Sequence, residues 1–355
     1  MIAKVALKIA VIAITKNGKD IARKIKNRIE CDIFMPVKFK DDNDIIYYEE
    51  PTPLMISRLF KSYNALVCIF SLGAVIRMVS NHLKDKKSDP AVVVIDDKAN
   101  FVISALSGHL GGANALTRLL ANILNSIPVI TTAADVNETI AVDLLGKEFN
   151  WEIDDDKNIT MVSANMVNNE PIGIYQDAGE KNWWNKELPK NVHIFNSLDE
   201  LRDSACKSYL IITDKIIDND LMDKAVVYRP KSLVVGIGLH YNTSKEDISK
   251  GIKDTFAKYN LALKSIRLLA TIDKGIKVKG LEEYAKEHNL EIKYFSKEEL
   301  AKVQVPNPSE IVKKYEKTAS VSEAAAILAS NGKLVVEKQK YPPNLTIAVA
   351  RVNYE

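Results

Sequence analysis

Short, continuously apolar runs alternate with stretches in which apolar residues recur every three or four positions. In the first 150 residues the runs are 9–15, 65–70, 91–95, 101–106 and 128–130. Each is too short for a helix and is bounded by turn residues, so each predicts a buried strand. Between them, Ile21, Ile25 and Ile29 predict one helix, and Met55, Leu59 and Phe60 a second one behind a Thr52-Pro53 start. Residues 112–124 predict a third, with Ala115, Leu119 and Ile123 as its stripe. The turn Asp96–Asn100 joins two β-rich runs and predicts a hairpin. The resulting fold class is α/β, with a parallel-rich N-terminal domain over 1–150.

The pattern weakens at Trp151, where an acidic polar stretch precedes short runs at 172–175, 192–195, 210–213 and 225–228. These predict a small middle α/β module over 151–230, with 229–232 as a linker. A second strong apolar run, 233–238, opens a C-terminal α/β domain over 231–355. Ser244 and Asp247 cap its first helix, which runs through Tyr259. A strand at 266–270 comes next; helices are expected at 297–303, 310–317 and 320–330, and closing strands at 334–338 and 345–351.

Composition narrows the class of function. The chain has 355 residues, 46% hydrophobic and 27% charged, which is a globular composition. Lys+Arg 49 against Asp+Glu 46 gives +3, too balanced for a nucleic-acid-coating surface. Cys31, Cys68 and Cys206 are far apart and odd in number, so a thiolate zinc site or disulfide framework is not expected and a reducing compartment is. His193, His240 and His288 show no paired ligand spacing, so no protein metal site is expected. The run near the N-terminus is too short for a secretory signal, and the longest apolar stretch, 65–76, is too short to cross a bilayer. A soluble, cytoplasmic protein is expected.

The richest candidate chemistry lies in Ser107-Gly108-His109-Leu-Gly111-Gly112-Ala-Asn114. A glycine-rich turn from strand to helix brings backbone close to a ligand, and helical N–H groups favour negative charge there. Placed at the carboxyl edge of the sheet, His109 would be a general acid or base; a tight turn with a part-buried histidine is the structural alternative. The spacing matches neither GxGxxG nor a P-loop, and Ser107 lacks a GxSxG elbow. Gly73 begins a helix that carries Arg77, with His82, Lys84, Lys86 and Lys87 just beyond it. These cations form either a solvated run or a surface for a polycarboxylate or phosphate. Thr131, Thr132, Asp135 and Asn137 come after another strand; Asp135 either orients a histidine or caps a helix. In the C-terminal domain Gly236, Gly238, Thr271, Asp273, Asn307, Ser309, Ser320 and Glu323 lie in turns and helix starts.

Taken in order, these motifs resemble the CbiG family of cobalt-precorrin-5A hydrolases in anaerobic cobalamin biosynthesis. The segments carrying the resemblance are 9–18, 89–96, 107–114 and 128–137, then Gly236-Ile-Gly238, 270–273, 305–309 and 320–324. Family members carry a cysteine and a basic-glycine pair after Gly-Ile-Gly, where this chain has Leu239, His240, Tyr241 and Asn242. The resemblance implies opening of a ring-A δ-lactone on a cobalt-containing tetrapyrrole and release of acetaldehyde. It implies no cofactor of the protein's own, since the cobalt is carried by the substrate. His109 is then the expected base, Asp135 its partner, and the amides around Gly111 and Gly112 the oxyanion donors; the other residues named above are expected to bind substrate. Other enzymes of the pathway and a second copy of the chain are candidate partners, and nucleic acid and membrane are not. The rival expectations are a tetrapyrrole carrier without catalysis and a phospho-metabolite enzyme using the 108–114 loop as an anion cradle.

Overall fold

The computed structural model describes residues 7–41, 43–85, 88–109, 111–308 and 320–354. Lys86, Lys87, Ser309 and the helix expected at 310–317 lie outside them. The chain divides into two compact units, 1–144 and 145–355. Gly146 belongs to the second, because its backbone lies directly against the Trp151 ring. That contact draws the boundary a few residues before 150.

The first unit is a three-layer α/β fold. Its elements run β1 (Ile9–Ala13), α1 (Lys16–Lys26), β2 (Asp32–Pro36), β3 (Ile46–Tyr48), α2 (Thr52–Ser62) and β4 (Ala65–Ile69). Then come α3 (Leu72–Val79), β5 (Ala91–Ile95), β6 (Phe101–Leu106), α4 (Ala113–Leu124), β7 (Ile127–Val129) and α5 (Ala133–Val136). The sheet order is β3-β2-β1-β4-β5-β6-β7. β1 to β5 are parallel, and β1, β4 and β5 are buried at every position, which explains their unbroken apolar runs. α1 and α4 pack on one face of the sheet, α2 and α3 on the other. The buried side of α4 carries Leu116, Leu120 and Ala121; Ala115 and Leu119 of the expected stripe face solvent. A helix with leucines at 116, 119 and 120 leaves the choice of face to its neighbours, and Val102 decides it.

The hairpin reverses the chain. β6 is antiparallel to β5, with Leu106 beside Val92, and β7 is parallel to β6. The carboxyl ends of β6 and β7 therefore emerge at the amino edge of β5, opposite the edge where Ser71 and Asp97 succeed β4 and β5. His109 thus lies at the opposite edge of the sheet from the one expected. An apolar run records that a strand is buried, and carries no information on its direction.

The second unit holds two sheets. One, in the order β10-β9-β11-β12-β8, is built from β8 (Glu152–Ile153), α6 (Ile159–Val167), β9 (Ile172–Gln176), β10 (Val192–Phe195), α7 (Leu198–Arg202), β11 (Ser208–Ile212), α8 (Asn219–Met222) and β12 (Ala225–Arg229). The other comprises β13 (Leu233–Leu239), α9 (Lys245–Lys258), β14 (Ile266–Ile272), α10 (Lys279–Glu287), β15 (Glu291–Phe295), α11 (Lys297–Ala301), α12 (Val321–Ser330), β16 (Lys333–Tyr341) and β17 (Leu345–Arg351), in the order β15-β14-β13-β17-β16. Between the sheets, Arg351 grips the fully buried Asp214 through Nε at 2.8 Å and Nη2 at 2.5 Å, and Ser232 donates to the same carboxylate at 2.7 Å. A buried carboxylate without those donors would be strongly unfavourable, so the two sheets are tied into one unit.

α12 lies so close to β13 that a Cβ built on Gly236 would stand 1.9 Å from the Ser322 carbonyl oxygen. Gly236→Val is therefore expected to lower the stability of the second unit by at least about 1–3 kcal/mol through overpacking. A urea melt that reports on this unit checks it, and an unchanged midpoint would show that α12 gives way without cost.

Candidate active site

The turn after β6 is built to present one imidazole. Ser107 takes left-handed backbone (φ 56°), and its hydroxyl donates to the Asp89 carbonyl oxygen at 3.0 Å. A Cβ at Gly108 would come within 2.7 Å of Asn114 Oδ1, so only glycine lets Asn114 close over the turn. Gly112, at φ 85°, starts α4. Its N–H donates to the His109 carbonyl oxygen at 3.0 Å, and the Ala113 and Asn114 amides bond back to Ser107 and Gly108. Gly112 is therefore committed within the turn and is not an oxyanion donor, which corrects the expectation. The amide of Gly111 has no partner among the described residues.

His109 has a carboxylate against each ring nitrogen. Nε2 is 2.9 Å from Asp135 Oδ2, and Nδ1 is 3.2 Å from Asp143 Oδ1. Asp143 does most to hold the imidazole above its usual pKa; partial burial opposes this, and Asp135 adds to the rise. Burial likewise pushes the Asp135 carboxyl up, but Arg118, His109 and Asn114 outweigh it and the net direction is down. Asp135 accepts from Arg118 Nη2 at 2.9 Å and from Asn114 Nδ2 at 2.8 Å. Asn114, nearly fully buried, also donates to Thr132 Oγ1 at 3.0 Å and accepts from Ser104 Oγ at 2.6 Å. Asp135 lies inside α5 and caps nothing; the helix cap position belongs to Thr132. The arrangement favours an imidazolium between two carboxylates, because a neutral ring would turn a lone pair toward one of them.

The sequence-predicted residues divide by position. Ser107, Gly108, His109, Asn114, Thr132 and Asp135 come together. Thr131 and Asn137 lie on the exposed rim beside them. Lys84 joins this edge, since its amide donates to the Asp89 carboxylate at 3.0 Å. Gly73 starts at the opposite edge, and Arg77, bonded back to the Gly73 carbonyl at 3.4 Å, faces a groove of about 470 Å³ between α2 and α3. In the second unit Thr271, Asp273, Asn307 and Glu323 bond to neighbouring groups of the same unit. Thr271 donates to the Ile237 carbonyl at 2.7 Å, and Asp273 accepts the Gly275 amide at 2.8 Å. Glu323, fully buried, accepts from Asn307 Nδ2 at 2.8 Å and from the Lys338 amide at 3.1 Å. Gly236 and Gly238 admit α12 and Thr346 respectively. Ser320 is buried with its hydroxyl unpartnered among the described residues.

Three family models match the chain in order: cobalamin synthesis G N-terminal over residues 55–135, the cobalamin biosynthesis central region over 140–230, and cobalamin synthesis G C-terminus over 233–350. Cobalt-precorrin-5A hydrolase of Priestia megaterium is 41% identical, over 98% of this chain and 95% of that protein. The chain belongs to the CbiG family. The Salmonella typhimurium cobalt-precorrin-5A hydrolase is 32% identical over 96% of this chain and 97% of its own length. The crystal structure of a cobalamin biosynthesis protein G homolog from Sulfolobus solfataricus is 26% identical, covers 98% of both chains and has a TM-score of 0.39.

Sequence reasoning missed Asp143, the second carboxylate of this CbiG site. Its signal is a lone acid inside the apolar run 140–145. Among the described residues, no group of three or more His, Cys, Asp and Glu side chains is placed to hold a metal ion. At the carboxyl end of β13, His240 and Thr243 form a turn closed by the Asn344 carbonyl, and Lys274 lies over the Tyr241 ring at 5.3 Å.

Because the folded state raises the His109 pKa, the ion cluster adds stability that is complete below the unfolded value of about 6.5 and is lost as pH rises through the folded value. The advantage of the native chain over His109→Gln is therefore expected to be largest near about pH 5.5 and to shrink toward about pH 9. Thermal melts of both across that range check it; an advantage that grows with pH would contradict the imidazolium.

Proposed function

We propose that this chain hydrolyses cobalt-precorrin-5A in anaerobic cobalamin biosynthesis, opening the ring-A δ-lactone and releasing acetaldehyde to give cobalt-precorrin-5B. Two relatives matched along nearly their whole length carry that hydrolase name. The observation that carries the chemistry is the imidazole of His109 held between Asp135 and Asp143. Cobalt enters and leaves as part of the substrate, and no resident metal takes part. The protein works in the reducing cytoplasm, where its three buried thiols stay free.

The first step adds the oxygen of water to the lactone carbonyl, and the ring C–O bond breaks as the alkoxide leaves. Attack needs a proton acceptor and the alkoxide needs a donor. His109 supplies the donor as an imidazolium, which modifies the expectation of a simple base. The water proton goes to the carboxylate–imidazole set, so the cluster ends with the proton count it began with. The Gly111 amide is the remaining backbone donor for the developing oxyanion. In the second step the freed alcohol loses its proton to become the carbonyl of acetaldehyde. The C–C bond to the macrocycle breaks, its electron pair stays on the conjugated ring, and a proton replaces the lost fragment. Asn114 and Arg118 fix Asp135, so they act as positioning residues.

A carrier that binds the tetrapyrrole without cleaving it is the second reading, favoured by the Leu239–Asn242 segment that replaces the family's cysteine and basic-glycine pair. Anaerobic incubation with cobalt-precorrin-5A separates the two: one acetaldehyde per macrocycle is the expected result, and binding without acetaldehyde would establish the carrier. His109→Ala is expected to slow turnover by about 10²–10⁴-fold. Turnover near that of the native protein would remove His109 from the mechanism.

A further inference from the structure

On the α2–α3 face of the first unit the helices stop short of the end of the sheet. α2 packs over β4 and α3 over β5, while among the described residues the helix lying against β6 and β7 is α4, on the other side. Ile103 packs against the α2–α3 core, and the register pairs Phe101 with Ile127 and Ile103 with Val129, so these four side chains share that face, with Phe101 and Ile127 at its open end. Phe101 is 44% exposed and Ile127 60%. On α3, Val75 and Val79 face the sheet, and Ala74, Arg77 and Met78 line the groove shared with α2. Helical geometry then leaves Ile76 on the side toward β6. Ile76 is 54% exposed, and Leu83, just beyond the helix, 45%. The result is an apolar step, with β6 and β7 as its floor and α3 as its wall.

We infer that this step seats the flat face of the macrocycle, an inference that rests on the tetrapyrrole reading above. An exposed apolar patch of this kind marks a binding surface. Its two floor strands run directly into the loops that carry His109 and Asp135, so an occupant lying along them ends at the same edge of the sheet as the imidazole. A six-residue strand gives a floor about 20 Å long, enough for a tetrapyrrole and its side arms. Lys84, exposed at the same edge as His109, is placed to meet a carboxylate arm. The strands β6 and β7 thus serve twice, by holding the reactive loops and by presenting the apolar floor.

The test is steady-state acetaldehyde release by the full chain bearing Ile127→Gln or Phe101→Gln, with Leu119→Gln on the far side of α4 as the control. Each floor variant is expected to raise KM about tenfold with kcat changed by less than about twofold, and the control to leave KM unchanged. An unchanged KM, or a fall in kcat alone, would overturn the inference. Sedimentation is run on the same samples: a native dimer that Ile127→Gln dissociates, with KM intact, would assign the face to a second copy and overturn it equally. If the native chain releases no acetaldehyde the hydrolase reading fails by itself. The absorption change of cobalt-precorrin-5A on binding then decides the seat, with weaker binding by Ile127→Gln supporting it and equal binding contradicting it.

Discussion

The imidazole of His109 has an aspartate oxygen against each of its nitrogens, and that arrangement depends on β6 running against β5. If β6 were parallel like the five strands before it, its carboxyl end would open beside Ser71 and Asp97. Reversal instead brings the Ser107–Gly112 turn beside Asp89 and the end of β7, where Asp135 begins its short helix. Asn114 then closes the arrangement, holding Ser104, Thr132 and Asp135 with one buried amide. A buried amide with three partners leaves little freedom, so the carboxylate it holds is fixed before any substrate arrives.

The two units treat their polar residues differently. In the first, charged groups of both signs gather at a partly open edge: Arg118, His109, Asp135 and Asp143. With His109 protonated the four sum to zero, so the cluster can pass a proton without accumulating charge. In the second, Asp214 and Glu323 are fully buried and held by Arg351, Ser232, Asn307 and the Lys338 amide. Those are donor sets that hold a charge still. The difference argues for chemistry in the first unit and for a structural role of the Asn307 and Glu323 motifs.

Much of this was legible in the chain. Strands buried on both faces announced themselves as unbroken apolar runs, and the hydroxyl, histidine, amide and carboxylate of the site came after strands in segments whose composition was out of keeping with plain turns. What stayed hidden has physical causes. Strand direction leaves no mark on an apolar run, so the sheet edge bearing His109 was misplaced. The buried side of α4 was ambiguous because Leu119 is as apolar as Leu120. Asp143 lay in an apolar run, where nothing local shows what a lone carboxylate faces. Gly236 looked like a place for a ligand to approach, and it is an approach of another helix.

The most direct measurement is a nuclear magnetic resonance titration of the chain's histidines, with the signal of His109 assigned by its disappearance in His109→Gln. The account predicts that this ring titrates above the ordinary value of about 6.5 and falls back toward it in Asp143→Asn. A ring that titrates at or below that value in the native protein, or that ignores the loss of Asp143, would contradict it.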